Sequence, residues 1–149
     1  MFTLFSNLIN LKELFCSKNI LTSLPESICK LINLKYLDCT CCGLTSLPDS
    51  ICELINLETF YVENNKISYL PESIGCLSNL KKFYYFGNPL NELPATIINL
   101  KNIVSCYNFS SIILTPQQQR YFKWIESNKS YPFNEYVDTT LVKCAYFGV

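Results

Sequence analysis

The chain has 149 residues, about the size of one domain, and its 12 basic and 12 acidic side chains cancel to a formal charge of zero. Basic residues are scattered singly apart from Lys81-Lys82, so there is no basic stripe of the kind that nucleic acid or an anionic membrane needs. The chain has no histidine, which excludes Ser-His and Cys-His nucleophile pairs and any His-containing zinc site built from this chain alone.

Almost half of the sequence, 49%, is apolar, enough to bury a core. No apolar run approaches the roughly 20 residues of a membrane span. The opening "MFTLFSNLIN" has no basic residue before its apolar part and no small-residue cleavage site, so no signal peptide is expected. The nine cysteines should then stay reduced in a cytoplasmic, intracellular setting. The triplets Asn108-Phe109-Ser110 and Asn128-Lys129-Ser130 read as chance matches to a glycosylation acceptor.

In chain order, the sequence enters in mid-repeat. "LINLKELFCSKNILTS" from Leu8 fits the latter part of a unit that then recurs in full. "LPESICKLINLKYLDCTCCGLTS" begins at Leu24, and "LPDSICELINLETFYVENNKISY" at Leu47. "LPESIGCLSNLKKFYYFGNPLNE" begins at Leu70 and "LPATIINLKNIVSCYNFSS" at Leu93, so each start lies 23 residues after the last. Within a unit, Leu34, Leu37 and Cys39 place alternate residues 37 and 39 on one side of a short strand. The proline of each Leu-Pro pair suits the first turn of a short helical or 3-10 segment. Such a unit cannot bury its own apolar side. Stacked copies share one continuous core and a parallel sheet.

Repetition fades after Asn108, and Pro116 arrives one residue earlier than a sixth Leu-Pro would require. "TPQQQRYFKWIESN" reads as a helix near 115–128, with Thr115 as N-cap, Pro116 at its first position and Gln118 closing a capping box. Tyr121, Phe122, Trp124 and Ile125 should supply its apolar face, with Trp124 a lid over the last repeat. Residues 129–149 hold strand-like pieces without a readable motif. At the other end, Phe2, Leu4 and Phe5 improvise a cap, or the end pairs with another chain, or the chain derives from a longer ancestor.

The pattern LPxxIxxLxxLxxLxxxxNxL over residues 1–114 resembles the leucine-rich-repeat family, and most closely the intracellular Ras-scaffold-like class of erbin and scribble. The resemblance implies an α/β fold: a right-handed solenoid of about five repeats, with a parallel concave sheet and short helical or 3-10 convex segments. Residues 115–149 then form a C-terminal cap or extension. It also implies an inward Asn rung, here Asn19, Asn65 and Asn88 with Cys42 and Ser111 in register, that satisfies buried backbone groups. A second row, Asn10, Asn33, Asn56, Asn79 and Asn102, is expected to hydrogen-bond the turn leading into the sheet; the alternative is a wholly solvated row.

This register sorts the cysteines. Cys39 and Cys42 have the spacing of a zinc knuckle or redox pair, but their slots are filled by Val62 and Asn65 one copy later, so scaffold is the expected role. Cys16, Cys39 and Cys42 should lie near one another, one ligand short of a closed zinc site, and no metal or cofactor is expected. Cys29 and Cys52, with Gly75 next in their row, look like small fillers. Cys41 should face outward as the most modifiable thiol.

Function should then lie between the inward slots, on the concave face. Tyr61, Tyr84 and Tyr107 fall in one row there, with Phe86 and Phe109 alongside and Tyr36 in the adjacent row. Exposed aromatics with hydrogen-bonding tips are what protein-binding hot spots use. The competing readings are a C-terminal segment folded over the patch, or aromatics that merely brace the sheet. The expected function is a non-enzymatic module binding a protein or peptide partner. Alternatives are a purely structural or vestigial repeat protein, or the recognition part of a ubiquitin-ligase-type assembly. Nucleic acid is not an expected partner, since only Lys82 favours it while Asp38 and Glu63 oppose it. Self-association through the N-terminal end is the remaining partner expectation.

Overall fold

The computed structural model describes residues 8–106 and 112–128. Tyr107, Phe109 and Ser111, the N-terminal trio Phe2, Leu4 and Phe5, and the segment 129–149 lie outside them.

Five short strands, β1 (Glu13–Phe15), β2 (Tyr36–Asp38), β3 (Thr59–Tyr61), β4 (Lys82–Tyr84) and β5 (Ser105–Cys106), form one sheet in chain order. Every neighbouring pair is parallel, and the register steps by one repeat each time: Glu13, Tyr36, Thr59, Lys82 and Ser105 are successive partners. Parallel strands need a crossover. Here it is a five-residue 3-10 helix, at Glu26–Lys30, Asp49–Glu53, Glu72–Cys76 and Ala95–Asn99.

The prolines stand one residue earlier than expected, just before each 3-10 helix rather than in its first turn. There the carbonyl of Pro25, Pro48, Pro71 and Pro94 accepts the N–H of Ile28, Ile51, Ile74 and Ile97, so ring and carbonyl together start the turn.

The core lies between strands and 3-10 helices. Leu37, Phe60 and Phe83 point into it from the middle of each strand, with Leu34, Leu57, Leu80 and Ile103 before them, all buried. Gly75 is required where two 3-10 helices meet. A Cβ there would stand 2.4 Å from the Thr96 carbonyl oxygen, whereas the same slot holds Cys29 and Cys52 in earlier copies.

Both Asn rows connect repeats, except at Asn19, which is exposed rather than inward and donates only to the Cys16 and Ser17 carbonyls of its own copy. Asn33, Asn56, Asn79 and Asn102 each donate through Nδ2 to a carbonyl in the turn one copy back (Ile9, Ile32, Ile55, Ser78) at 2.7–2.8 Å. On the inner rung, Asn65 Oδ1 accepts the Cys42 and Leu44 N–H groups at 3.0 Å. Its Nδ2 donates to the carbonyls of Cys39, Val62 and Glu63. Asn88 repeats this with Val62, Tyr85 and the Ile67 N–H. In the same slot, Cys42 Sγ donates to the Cys16 carbonyl at 2.9 Å, so a thiol makes the bond to the preceding strand end that an amide makes in the next copies.

The helix α1 (Pro116–Ser127) has the expected start: Thr115 Oγ1 accepts the Gln118 N–H, and Gln118 Oε1 accepts the Thr115 N–H. Gln118 is buried, and its Nε2 donates to the Leu93 and Pro94 carbonyls of the last Leu-Pro pair. Phe122 and Ile125 are buried beside it, and the Tyr121 hydroxyl donates to the Leu100 carbonyl at 2.7 Å. Trp124 is 54% exposed and is not the lid. The inward residues 118, 121, 122 and 125 follow i, i+3, i+4, i+7, and position 124 falls off that stripe.

Candidate functional site

The strand residues that do not point inward form the other face of the sheet. The register places Phe15, Asp38, Tyr61 and Tyr84 in one row across it, beside the row of Glu13, Tyr36, Thr59 and Lys82. Tyr36, Tyr61, Tyr84 and Phe86 are half-buried.

Their rings meet across strands. Tyr61 and Tyr84 stack with centroids 4.7 Å apart and planes within 7°. Tyr36 leans on Tyr61 at 5.6 Å, and Phe15 on Tyr36 at 4.7 Å, both tilted. The ladder therefore crosses from one row to the other and back. It does so because Asp38 and Thr59 occupy the positions where a straight row would need rings. Phe15, 62% exposed, is the member that sequence reasoning left out. Its signal was adjacency to Tyr36 on the diagonal rather than along a row.

Carboxylates surround the ladder. Asp38 accepts the Thr40 N–H through Oδ1 at 2.9 Å. Burial, and then Asp38, raise the Glu63 carboxyl above its ordinary value. Burial pushes the Tyr61 hydroxyl up to about 12, helped by Tyr84, Tyr36, Glu63 and Asp38. Tyr36 moves the same way, through burial and then Asp38 and Glu13. The Tyr36 and Tyr61 phenols thus stay protonated. Among the described residues, no group of three His, Cys, Asp or Glu side chains is placed to hold a metal ion. Nor is any helix there long and apolar enough to cross a membrane.

Just past the strands, Lys18, Cys41, Asn64 and Gly87 share one register position and all take positive φ, between 53° and 72°. Gly87 is needed there, since a Cβ would meet Asn64 Oδ1 at 2.2 Å. Cys41 is half-buried in this turn, whereas Cys76, on a 3-10 helix, is exposed. The more accessible thiol is therefore Cys76. The 23-residue spacing locates Cys41 just past a strand but does not reveal how closely the neighbouring turns flank it.

Two family models match the chain: one described as leucine-rich repeats in two copies, over residues 9–53, and one as leucine-rich repeat, over residues 32–90. No curated protein matches it. Among solved structures, it is similar to a leucine-rich-repeat protein of Leptospira interrogans at 33% identity and a TM-score of 0.70, over 76% of this chain and 29% of that one. The ectodomain of the Arabidopsis thaliana receptor kinase GASSHO1/SCHENGEN3, solved with CASPARIAN STRIP INTEGRITY FACTOR 2, is 27% identical with a TM-score of 0.67, over 76% of this chain and 14% of that one. Internalin C2 of Listeria monocytogenes shares the fold, at 24% identity and a TM-score of 0.60, over 77% of this chain and 46% of that one. The chain thus spans less than half the length of each of these three.

Proposed function

Because the chain belongs to the leucine-rich-repeat family, whose members generally mediate protein–protein interactions, we propose that it is a non-enzymatic binding module for a protein or peptide partner. The partner docks on the sheet face that carries Tyr36, Tyr61, Tyr84 and Phe86, with Phe15 extending it; Tyr107 and Phe109, assigned to this face by the 23-residue register alone, lie outside the described residues. The observation that carries this reading is the ring ladder from Phe15 to Tyr84, aromatic surface laid across four strands on the side away from the core. Large rings with hydroxyl tips gain apolar area and hydrogen bonds together, which is the chemistry of interface hot spots. The receptor-kinase ectodomain, solved in complex with CASPARIAN STRIP INTEGRITY FACTOR 2, is a related solenoid with a bound partner and supports the same use here. The setting proposed is intracellular.

Proximity labelling in the native host supplies partner candidates, and pull-downs with the Tyr84→Ala/Phe86→Ala double variant test them. The expected result is loss of capture with an unchanged circular-dichroism melt. Equal capture by the folded variant removes the sheet face from the binding site. No reproducible capture by the wild type favours a purely structural or vestigial repeat protein.

A second reading, self-association through the first described repeat, is favoured by the exposure of Leu8, Ile9 and Ile20 there. Light scattering decides it: a concentration-independent monomer mass rules it out.

A further inference from the structure

Beyond the binding face, the core side of β1 and β2 holds a reactive pair. The register continues one residue past the strands, where the Cys16 N–H donates to the Asp38 carbonyl at 2.8 Å and sets Cys16 beside Cys39. Their Sγ atoms are 3.3 Å apart. Adjacent strands lie about 4.8 Å apart, within the roughly 4.4–6.8 Å between Cα atoms that a disulfide spans. Closing the bond needs the sulfurs to approach to about 2.05 Å, a side-chain adjustment rather than a backbone one.

The two thiols differ in kind. Cys39 is fully buried, whereas Cys16 is half-buried and within reach of solvent. The hydrogen bond with Cys39, and a weaker one with Cys42, lower the Cys16 thiol below its ordinary value, against burial and Asp38. Cys39 is driven far up by the hydrogen bond with Cys16 and by burial. Cys16, the more exposed of the two, is therefore the thiol that an oxidant reaches, and Cys39 is the one held against it. Cys42 lies close by, its Sγ donating to the Cys16 carbonyl at 2.9 Å, but the 3.3 Å sulfur–sulfur contact of Cys16 is with Cys39.

We propose that Cys16 and Cys39 form an oxidative modification site, in which hydrogen peroxide converts Cys16 to a sulfenic acid that Cys39 resolves to an intramolecular disulfide. In the first step the Cys16 thiolate attacks one peroxide oxygen, the O–O bond breaks, and the departing hydroxide takes a proton to become water. In the second, the Cys39 sulfur attacks the Cys16 sulfur and the S–O bond breaks. The hydroxide then leaves as water with the Cys39 proton. Two thiols and one peroxide give one disulfide and two waters, with two electrons passing from sulfur to peroxide. The product staples the first described strand to the second.

The test treats the folded protein with a few equivalents of hydrogen peroxide, alkylates remaining thiols and digests with trypsin without reduction. Cleavage after Lys12, Lys18, Lys35 and Lys66 separates Cys16, in peptide 13–18, from Cys39, in peptide 36–66. The expected result is a linked pair of these peptides, with fragmentation placing the bond at Cys39. The melting temperature of the oxidised protein should rise by about 5–10 °C, and dithiothreitol should reverse the rise. Cys16→Ser, at the half-exposed position, should abolish both link and shift, while Cys42→Ser should keep them. Alkylation of both Cys16 and Cys39 after peroxide, a bond to Cys41 or Cys42 instead, or over-oxidation of Cys16 without a link overturns the proposal.

Discussion

Asn65 shows how much one side chain can hold. It satisfies two buried N–H groups and three carbonyls of its own and the preceding copy at distances of 2.9–3.1 Å. Removing it leaves donors stranded in a region water does not reach, so Asn65→Ala should cost about 2–4 kcal/mol, measured by urea unfolding. A loss below about 1 kcal/mol would mean that water replaces the amide there. At this scale the repeat made the inner rung legible, because register alone assigns Asn65, Asn88 and Cys42 to one slot. The register put Phe15 in the row of Tyr61 and Tyr84, but its ring contact with Tyr36 and the crossing of the ring ladder between rows were not legible. They depend on how far a side chain reaches across a strand pair, which a one-dimensional register does not contain.

Among the elements, α1 is where a sequence signal and its packing separate. Thr115, Pro116 and Gln118 announce the helix start through local bonding alone, and the start forms as written. The inward stripe needs the helix to be set against a particular surface, here the Ala95–Asn99 segment and the Leu93-Pro94 carbonyls. That surface selects Gln118, Phe122 and Ile125 and turns Trp124 outward. Gln118→Ala removes the capping-box return bond and two buried bonds to the last repeat, and should cost about 2–3 kcal/mol by denaturant unfolding. Trp124→Ala should stay within about 0.5 kcal/mol. Equal losses from the two substitutions would show that Trp124 is packed after all.

Across the whole molecule, Glu58 ties three successive copies, its two carboxylate oxygens meeting Lys35 Nζ at 3.0 Å and Lys81 Nζ at 2.7 Å. These partners, the hydrogen bonds from Lys81 and Lys35 foremost, hold its carboxyl at about 2, below the ordinary 4.5. Because the folded value is depressed, the contribution is complete above about pH 4.5 and is lost as pH falls toward about 2. Wild type should therefore lose more stability than Glu58→Gln across that window in low-salt melts. The difference should shrink in salt, since both lysines are exposed and Glu58 is only half-buried. Parallel acid profiles would remove the pair of bridges from the stability account. The repeat period sets neighbouring copies side by side, but which surface charges meet depends on rotamers. The cross-copy bonds of the two Asn rows have a further consequence. Each Nδ2 reaches back 24 or 26 residues to a carbonyl one copy earlier, so the units that start at Leu47 and Leu70 each carry both the donors their predecessor accepts and the acceptors their successor needs. A tandem duplication of one such unit in its gene would insert matched donors and acceptors together, lengthening the array without redesign of either junction.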